Sequence, residues 1–193
     1  MKRVSVFCGS SLGKDAIYKQ EAFQLGKTLA QKGIGLVYGG AHIGLMGAVA
    51  DGALSESGEV IGVIPNFLRS KEIAHEGISE LILTDTMHQR KSKMNDLCNG
   101  VIVLPGGFGT LDEYFEMLTW GQLGLHQKPL GILNTNGYYN HLINHVETMA
   151  QEGFLSQDNK SMVIIESEIN MLLETMASYQ SPKTGKWVDE QKI

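Results

Sequence analysis

The sequence predicts an α/β fold in which helices cover both faces of a parallel sheet. Short apolar runs rich in β-branched residues alternate along the chain with longer segments whose apolar residues recur at helical spacing. Three glycine-rich turns, CGSSLG, YGGAHIGLMG and PGGFGT, each follow such a run directly. This alternation is typical of a doubly wound, Rossmann-like sheet, whose ligands bind beyond the carboxyl ends of the strands. The turns therefore indicate where a ligand would bind.

The predicted strands are short and apolar, as expected for strands buried on both faces of a parallel sheet. In chain order they are RVSVFCGSS, IGLVYGG, EVIGVIP, ELILTD, Val101–Leu104, PLGILN and MVIIE. The first helix follows RVSVFCGSS and ends near Gly33. Its apolar face is marked by Tyr18, Ala22, Leu25 and Leu29.

The later helices are predicted from the same periodicity. Four of them run from Gly44 to about Ser57, from Met87 to about Asn99, from Tyr138 to about Gly153, and from Ile169 to Tyr179. Another follows the PGGFGT turn and is marked by Leu111, Phe115, Leu118 and Thr119. In the helix that begins at Tyr138, we expect Leu142, Val146 and Met149 to face the core.

The composition suits a single globular domain. The chain has 193 residues, of which 42% are hydrophobic and 19% charged, enough for a sizeable core. We expect one domain over residues 1–180 and a polar tail, SPKTGKWVDEQKI, over residues 181–193. The net charge of -5 argues against a nucleic-acid binder, because such a protein would carry a basic surface patch.

Cysteine usage and hydropathy exclude further classes. Cys8 and Cys98 are too few for a disulfide framework or a Cys-rich metal site. His141 and His145 have the i, i+4 spacing of metal ligands but no apparent third ligand, so no metal and no other cofactor is expected. Met1–Phe7 lacks the apolar core of a signal peptide, and no apolar run approaches the ~18 residues of a membrane span. We therefore expect a cytoplasmic protein.

The PGGFGT turn has the properties of an anion site. Gly106, Gly107 and Gly109 leave backbone N–H groups uncovered and are free to adopt positive φ. Because the turn opens into a helix, its unpaired donors and the positive end of the helix dipole would face a phosphate. A capping box between Thr110 and Glu113 is the alternative explanation of the same residues.

Two familiar phosphate motifs do not fit this chain. CGSSLGKD has Cys8 in place of the first glycine of a P-loop, and Asp15 in place of its Mg²⁺-binding Ser or Thr. GGAHIG has Ala41 at the second glycine of a dinucleotide fingerprint, and the strand before it ends without an acidic residue. A P-loop NTPase and an NAD-binding enzyme are both disfavoured.

A basic cluster precedes the glycine turn. MHQRKSKMNDL places His88, Arg90, Lys91 and Lys93 at the start of a helix, where cations oppose the helix dipole. A nearby bound anion would explain this arrangement, and a solvated basic face is the alternative.

MHQRK followed by PGGFGTLDE resembles the Lonely Guy (LOG) family of cytokinin riboside 5'-monophosphate phosphoribohydrolases. GLVYGGAHIGLMG, VIGVIP and TWGQLGLHQKPLGILNTNGYY resemble the same family, so the similarity covers nearly the whole chain apart from the tail. Many relatives carry the label lysine decarboxylase, but no feature of this sequence indicates a pyridoxal phosphate site.

The resemblance implies hydrolysis of the N-glycosidic bond of a purine nucleoside 5'-monophosphate, with adenine or N6-modified adenine as the base. Cleavage builds positive, oxocarbenium-like charge on the sugar, so a carboxylate beside the ribose would stabilise the transition state. Glu113 is expected to be this carboxylate, because a phosphate at the turn would leave the ribose near the first turn of the helix. Glu116, at i+3, would share its face and orient water or Glu113.

The resemblance makes Arg90 the second catalytic residue, which would clamp the phosphate or bond to the leaving base. The residues expected to complete phosphate and ribose binding are Lys91, Gly106, Gly107, Gly109 and Thr110. Glu72 and Thr119 match further substrate positions of the family. Asp112 is a departure, since relatives often have Glu there.

The alternative function is a nucleotide-binding or cofactor-carrier protein of the same fold without chemistry, as in molybdenum cofactor carriers. A carrier needs the glycine turn but not both Arg90 and Glu113. The resemblance also implies a homodimer. The apolar side chains that would supply its contact surface, unless they are buried in the core, are Leu118, Trp120, Leu123 and Leu125.

Overall fold

The structure is a computed structural model that describes residues 1–68, 74–75 and 77–182. Its strands are β1 Arg3–Phe7, β2 Gly35–Tyr38, β3 Val60–Pro65, β4 Glu80–Thr84, β5 Gly100–Val103, β6 Leu130–Leu133 and β7 Val163–Glu166. They form one seven-stranded sheet in the order β4-β3-β2-β1-β5-β6-β7. Every neighbouring pair is parallel, which confirms the predicted sheet.

Most of the helices lie in the crossovers between strands. They are α1 Ala16–Gln31, α2 Gly44–Ser55, α3 Met87–Leu97, α4 Phe108–Gln122, α5 Asn140–Gln151, α6 Gln157–Lys160 and α7 Ile169–Ser178. A 3-10 turn at Thr135–Gly137 precedes α5, so this helix begins slightly later than Tyr138. The sequence did not predict α6 or the 3-10 turn, because so few residues show no helical periodicity.

Alternate residues of the central strands face two separate cores. Val4 and Val6 of β1 belong to the core that includes Leu25 of α1. Phe7 belongs to the opposite core, with Met94 of α3. Helices α2 and α7 share the first core and α4 the second, so the sheet is covered on both faces as a doubly wound fold requires.

Helix α5 covers the second core less fully than its apolar stripe predicts. None of its residues is buried. Leu142 packs half-buried against the core, whereas Val146 and Met149 lie half-buried in an open groove between α4 and α5. The predicted inward face of α5 therefore faces α4, but the groove leaves Val146 and Met149 partly uncovered.

The predicted tail falls almost entirely beyond the described residues. Ser181 and Pro182 are half-buried, and residues 183–193 lie outside the described part of the chain. Among the helices of the described ranges, none combines the length and the apolar character needed to cross a membrane.

Candidate active site

The candidate site lies where the strand order of the sheet reverses. The chain runs outward from β1 to β4 and then returns to β5 on the other side of β1. In open α/β sheets, ligands bind in the crevice at this point, outside the carboxyl ends of the strands. The Gly9 N–H donates to the Pro105 carbonyl at 3.0 Å, which joins the turns that follow β1 and β5. A cavity of about 300 Å³ opens beside these two turns.

One side of the cavity is polar and another is apolar. The polar side is formed by Arg90, Asp112, Glu113 and the turn at Gly107–Thr110. The side chains of the apolar side are Cys8, Met46, Leu68 and Met87. Burial raises the pKa of the Cys8 thiol far above its usual range, and the negative charge of Glu113 raises it further, so the thiol is neutral.

Helix α4 begins within the glycine turn, two residues before the Thr110 at which a capping box would start it. Gly107 is the N-cap and makes no side-chain cap bond, so Phe108 is the first residue of the helix. Thr110 is therefore the third helical residue. Glu113 lies in the second turn of α4 rather than the first, and its carboxylate bonds to Arg90. The capping-box interpretation is wrong, because the helix starts before the threonine that would cap it.

The three glycines of the turn have different reasons to be glycine, and none of them adopts positive φ. A Cβ on Gly106 would lie 2.1 Å from the Thr110 hydroxyl oxygen, so packing excludes a side chain there. A Cβ on Gly107 or Gly109 would meet no atom within 4 Å. Neither backbone conformation nor packing thus requires glycine at these two positions. Their missing side chains leave the N-terminus of α4 open to a ligand.

Arg90 is held in place on the polar side of the cavity. Its Nε donates to the Val63 carbonyl at 3.0 Å, and its Nη1 donates to Glu113 Oε1 at 2.5 Å. A Cβ on Gly39 would lie 2.5 Å from Nη2, so the glycine after β2 makes room for the guanidinium. The side chain is held in a single orientation, because two of its nitrogens bond to the protein.

Glu113 is a buried carboxyl whose charge is set by its neighbours. Burial raises its pKa above the ordinary value, whereas the positive charge and the hydrogen bond of Arg90 lower the pKa and offset part of this effect. Asp112 adds a smaller raising effect and Lys91 a smaller lowering effect. The net direction is upward, so Glu113 takes up a proton more readily than an exposed glutamate.

Three of the remaining predicted site residues, Lys91, Glu116 and Thr119, do not line the cavity. Lys91 and Glu116 pair with each other at 2.8 Å instead. The Thr119 side chain lines the groove between α4 and α5, and its hydroxyl donates to the Phe115 carbonyl at 2.8 Å. Glu72 lies outside the described residues. The substrate-binding roles of these four residues stay predictions.

The candidate metal ligands do not form a cluster. His141 and His145 are both exposed on α5. In the part of the chain that the structure describes, no three His, Cys, Asp or Glu residues are grouped to hold a metal ion.

Sequence reasoning missed several residues that shape the cavity. Gly39 leaves room for the Arg90 guanidinium, and the Val63 carbonyl accepts a hydrogen bond from it. No pattern of side chains in the sequence reveals either role. Met46, Leu68 and Met87 read as ordinary apolar residues, because nothing in the sequence shows that they face a cavity.

Comparisons with known proteins show which family the chain belongs to. A family model described as "Possible lysine decarboxylase" matches residues 46–176. A cytokinin riboside 5'-monophosphate phosphoribohydrolase of Rhodococcoides fascians is 45% identical over 178 residues, 92% of this chain and 90% of that protein. The chain belongs to the LOG family.

Plant members of the LOG family show the same similarity. An Arabidopsis thaliana enzyme with the same description is 42% identical over 92% of this chain and 84% of its own length. A probable enzyme of this kind from Oryza sativa subsp. japonica is 42% identical over 99% of this chain and 78% of its own length.

Solved structures of more distant proteins share the fold. The molybdenum cofactor binding protein of Rippkaea orientalis has a TM-score of 0.68 and 24% identity, and covers 91% of this chain and 95% of its own. The molybdenum cofactor carrier protein of Chlamydomonas reinhardtii has a TM-score of 0.67 and 18% identity, and the match covers 92% of this chain and 98% of that protein. Likeness at this identity concerns the fold alone.

Proposed function

We propose that this LOG-family chain hydrolyses the N-glycosidic bond of a purine nucleoside 5'-monophosphate and releases the free base and ribose 5-phosphate. The observation that carries the proposal is the buried Arg90–Glu113 pair on a cavity that also includes the open N-terminus of α4. The relatives above that are named as phosphoribohydrolases support the same reaction.

The substrate phosphate binds at the turn between Gly107 and Thr110. The first N–H groups of α4 have no intrahelical partner, and they lie at the positive end of the helix dipole. Gly107 and Gly109 leave the approach open, since neither carries a side chain and an added Cβ would meet no atom within 4 Å. The turn therefore supplies backbone donors and a favourable dipole for an anion.

Glu113 acts on the ribose, one helical turn beyond the phosphate. As the bond to the base breaks, positive charge develops on the sugar, and the ionised carboxylate stabilises it through space. Water then adds to the anomeric carbon, its oxygen forming the new bond as the bond to the base breaks, and the proton that this water loses goes to the departing base. Arg90 keeps the carboxylate in place and offers Nη2 to the phosphate or to the base.

The base lies against the apolar side formed by Met46, Leu68 and Met87. Methionine side chains adapt their shape to a flat ring and to a substituent on it, so this side accommodates adenine or an N6-modified adenine. Cytokinin nucleotides are the substrates by which the plant and Rhodococcoides relatives are named.

We also propose that the protein is a cytoplasmic homodimer that acts on a small nucleotide rather than on nucleic acid or a membrane. The groove between α4 and α5 exposes part of Leu118, Val146 and Met149, which a second copy would cover. Thr119 lines this groove, so in a dimer it would lie near the partner and away from the cavity of its own chain.

The carrier alternative rests on the fold alone, because the carrier proteins above are less than 25% identical. Incubation of the purified protein with AMP and with N6-isopentenyl-AMP separates the two functions. We expect equal amounts of free base and ribose 5-phosphate by chromatography. Tight binding of both nucleotides without release of base would identify a carrier.

A further inference from the structure

Lys91 follows Arg90 on α3 but contacts a different set of groups. Its Nζ lies 3.2 Å from Asp112 Oδ2 and 2.8 Å from Glu116 Oε2. The Lys91 side chain is only 9% exposed, and it does not line the cavity. An ammonium loses its hydration when it is buried, so two carboxylates at this distance determine where the side chain lies.

The two partners of Lys91 stand on either side of Glu113 along α4. Asp112 precedes Glu113 directly, and Glu116 follows one turn later at i+3. Three carboxylates within five residues repel one another unless a cation offsets their charge. The Asp112 side chain is 64% exposed and the Glu116 side chain 23%, so water screens the first carboxylate far more than the second.

We propose that Lys91 is a positioning residue, which supplies the countercharge for Asp112 and Glu116 and so holds the Glu113 segment of α4 against α3, rather than a contact to the substrate phosphate. This proposal deepens the function proposed above and rests on it for the kinetic readout only. The two neighbouring basic residues of α3 therefore have different partners. Arg90 bonds to Glu113 itself, and Lys91 pairs with the carboxylates on either side of it.

The charged and titratable groups around Glu113 come from three elements. Arg90 and Lys91 lie on α3, the Cys8 thiol follows β1, and Asp112 lies on α4 beside Glu116. Lys91 lowers the pKa of Glu113 and Asp112 raises it. Loss of Lys91 therefore raises the pKa of Glu113 and moves the acid limb of the reaction to higher pH.

The test compares Lys91→Met with Lys93→Met, which removes the same charge from an exposed position of the same helix. Titration of the Glu113 carboxyl carbon by NMR should show a higher pKa in Lys91→Met and an unchanged pKa in Lys93→Met. Calorimetry with inorganic phosphate and with AMP should give dissociation constants within about threefold of the native protein. A tenfold or greater loss of phosphate affinity with an unshifted pKa would overturn the proposal.

A triple variant, Lys91→Met with Asp112→Asn and Glu116→Gln, removes both the cation and the charges that it offsets. It should restore the pKa of Glu113 and the acid limb of the pH profile toward native values. If Lys91→Met does not fold, the triple variant decides, because a phosphate contact cannot be rescued by neutralising its neighbours. If the native protein releases no base, the proposed function is wrong. The NMR titration and the phosphate affinity still test the role of Lys91 in that case.

Discussion

Arg90 and Glu113 meet in a buried hydrogen bond of 2.5 Å, from Nη1 to Oε1, although they lie on different helices. Each side chain is only 9% exposed. A second bond, from Nε to the Val63 carbonyl, fixes the guanidinium on the side of β3. The pair is therefore assembled before any substrate arrives, with the carboxylate already turned toward the cavity. Such preorganisation is what electrostatic stabilisation of a transition state requires.

Arg90→Lys tests the need for the planar guanidinium. A lysine ammonium cannot hold the Val63 carbonyl and Glu113 in the same fixed geometry, because it lacks the rigid fork of donors. We expect kcat/KM for AMP to fall by about 100-fold or more, the scale for a lost preorganised donor. Arg3→Lys is the matched control, since Arg3 pairs with Glu59 at the surface away from the cavity. Equal activity of the two variants would contradict the assigned role.

Gly109→Ala separates ligand binding from folding. Alanine meets no atom within 4 Å at this position, and it favours a helix over glycine by up to about 1 kcal/mol. The melting temperature should therefore stay the same or rise, while the affinity for AMP falls at least several-fold because a methyl group enters the anion site. Gly106→Ala should instead lower the melting temperature, because its Cβ would meet the Thr110 hydroxyl. Native affinity in a folded Gly109→Ala protein would count against the site.

The pH dependence of the reaction reports the state of Glu113. Its pKa is raised above the ordinary value of 4.5, chiefly by burial, so the carboxylate is protonated at a higher pH than an exposed glutamate. Since the ionised form is the active one, kcat/KM should fall as the pH decreases through this raised pKa. An acid limb at or below 4.5 in the pH profile of the free enzyme would show that a different group controls the rate.

The groove between α4 and α5 gives a test of the dimer. An arginine at Leu118 would place a charge on the apolar surface that a second copy is proposed to cover. Light scattering should give a dimeric mass for the native protein and a monomeric mass for Leu118→Arg. Met171→Arg, at a half-exposed apolar position of α7, should remain dimeric. A native monomer at micromolar concentration would refute the proposed dimer.

The fold was predictable because its signal is distributed along the chain. Each apolar run became a strand of the parallel sheet, and the alternation placed the glycine turns at the strand ends. Arg90 was predicted from the resemblance and Glu113 from its position after the glycine turn, and the structure brings them together.

The partners of the buried charges were not predictable. Lys91 follows Arg90 directly, and adjacent helical residues point in directions about 100° apart, so the two contact different groups. Which carboxylate each one meets depends on how α3 packs against α4, and a single sequence does not contain that information. The reason for each glycine was also hidden, because it depends on atoms distant along the chain.

The most direct test of the central claim is the turnover of Glu113→Gln. Glutamine keeps the size of the side chain and an acceptor for Arg90 but loses the negative charge beside the ribose. At matched amounts of folded protein, we expect base release from AMP to fall by about 100-fold or more, with AMP affinity by calorimetry changed little. Glu152→Gln, an exposed change at the end of α5, should retain native turnover. Native turnover in folded Glu113→Gln would contradict the claim that Glu113 stabilises the transition state.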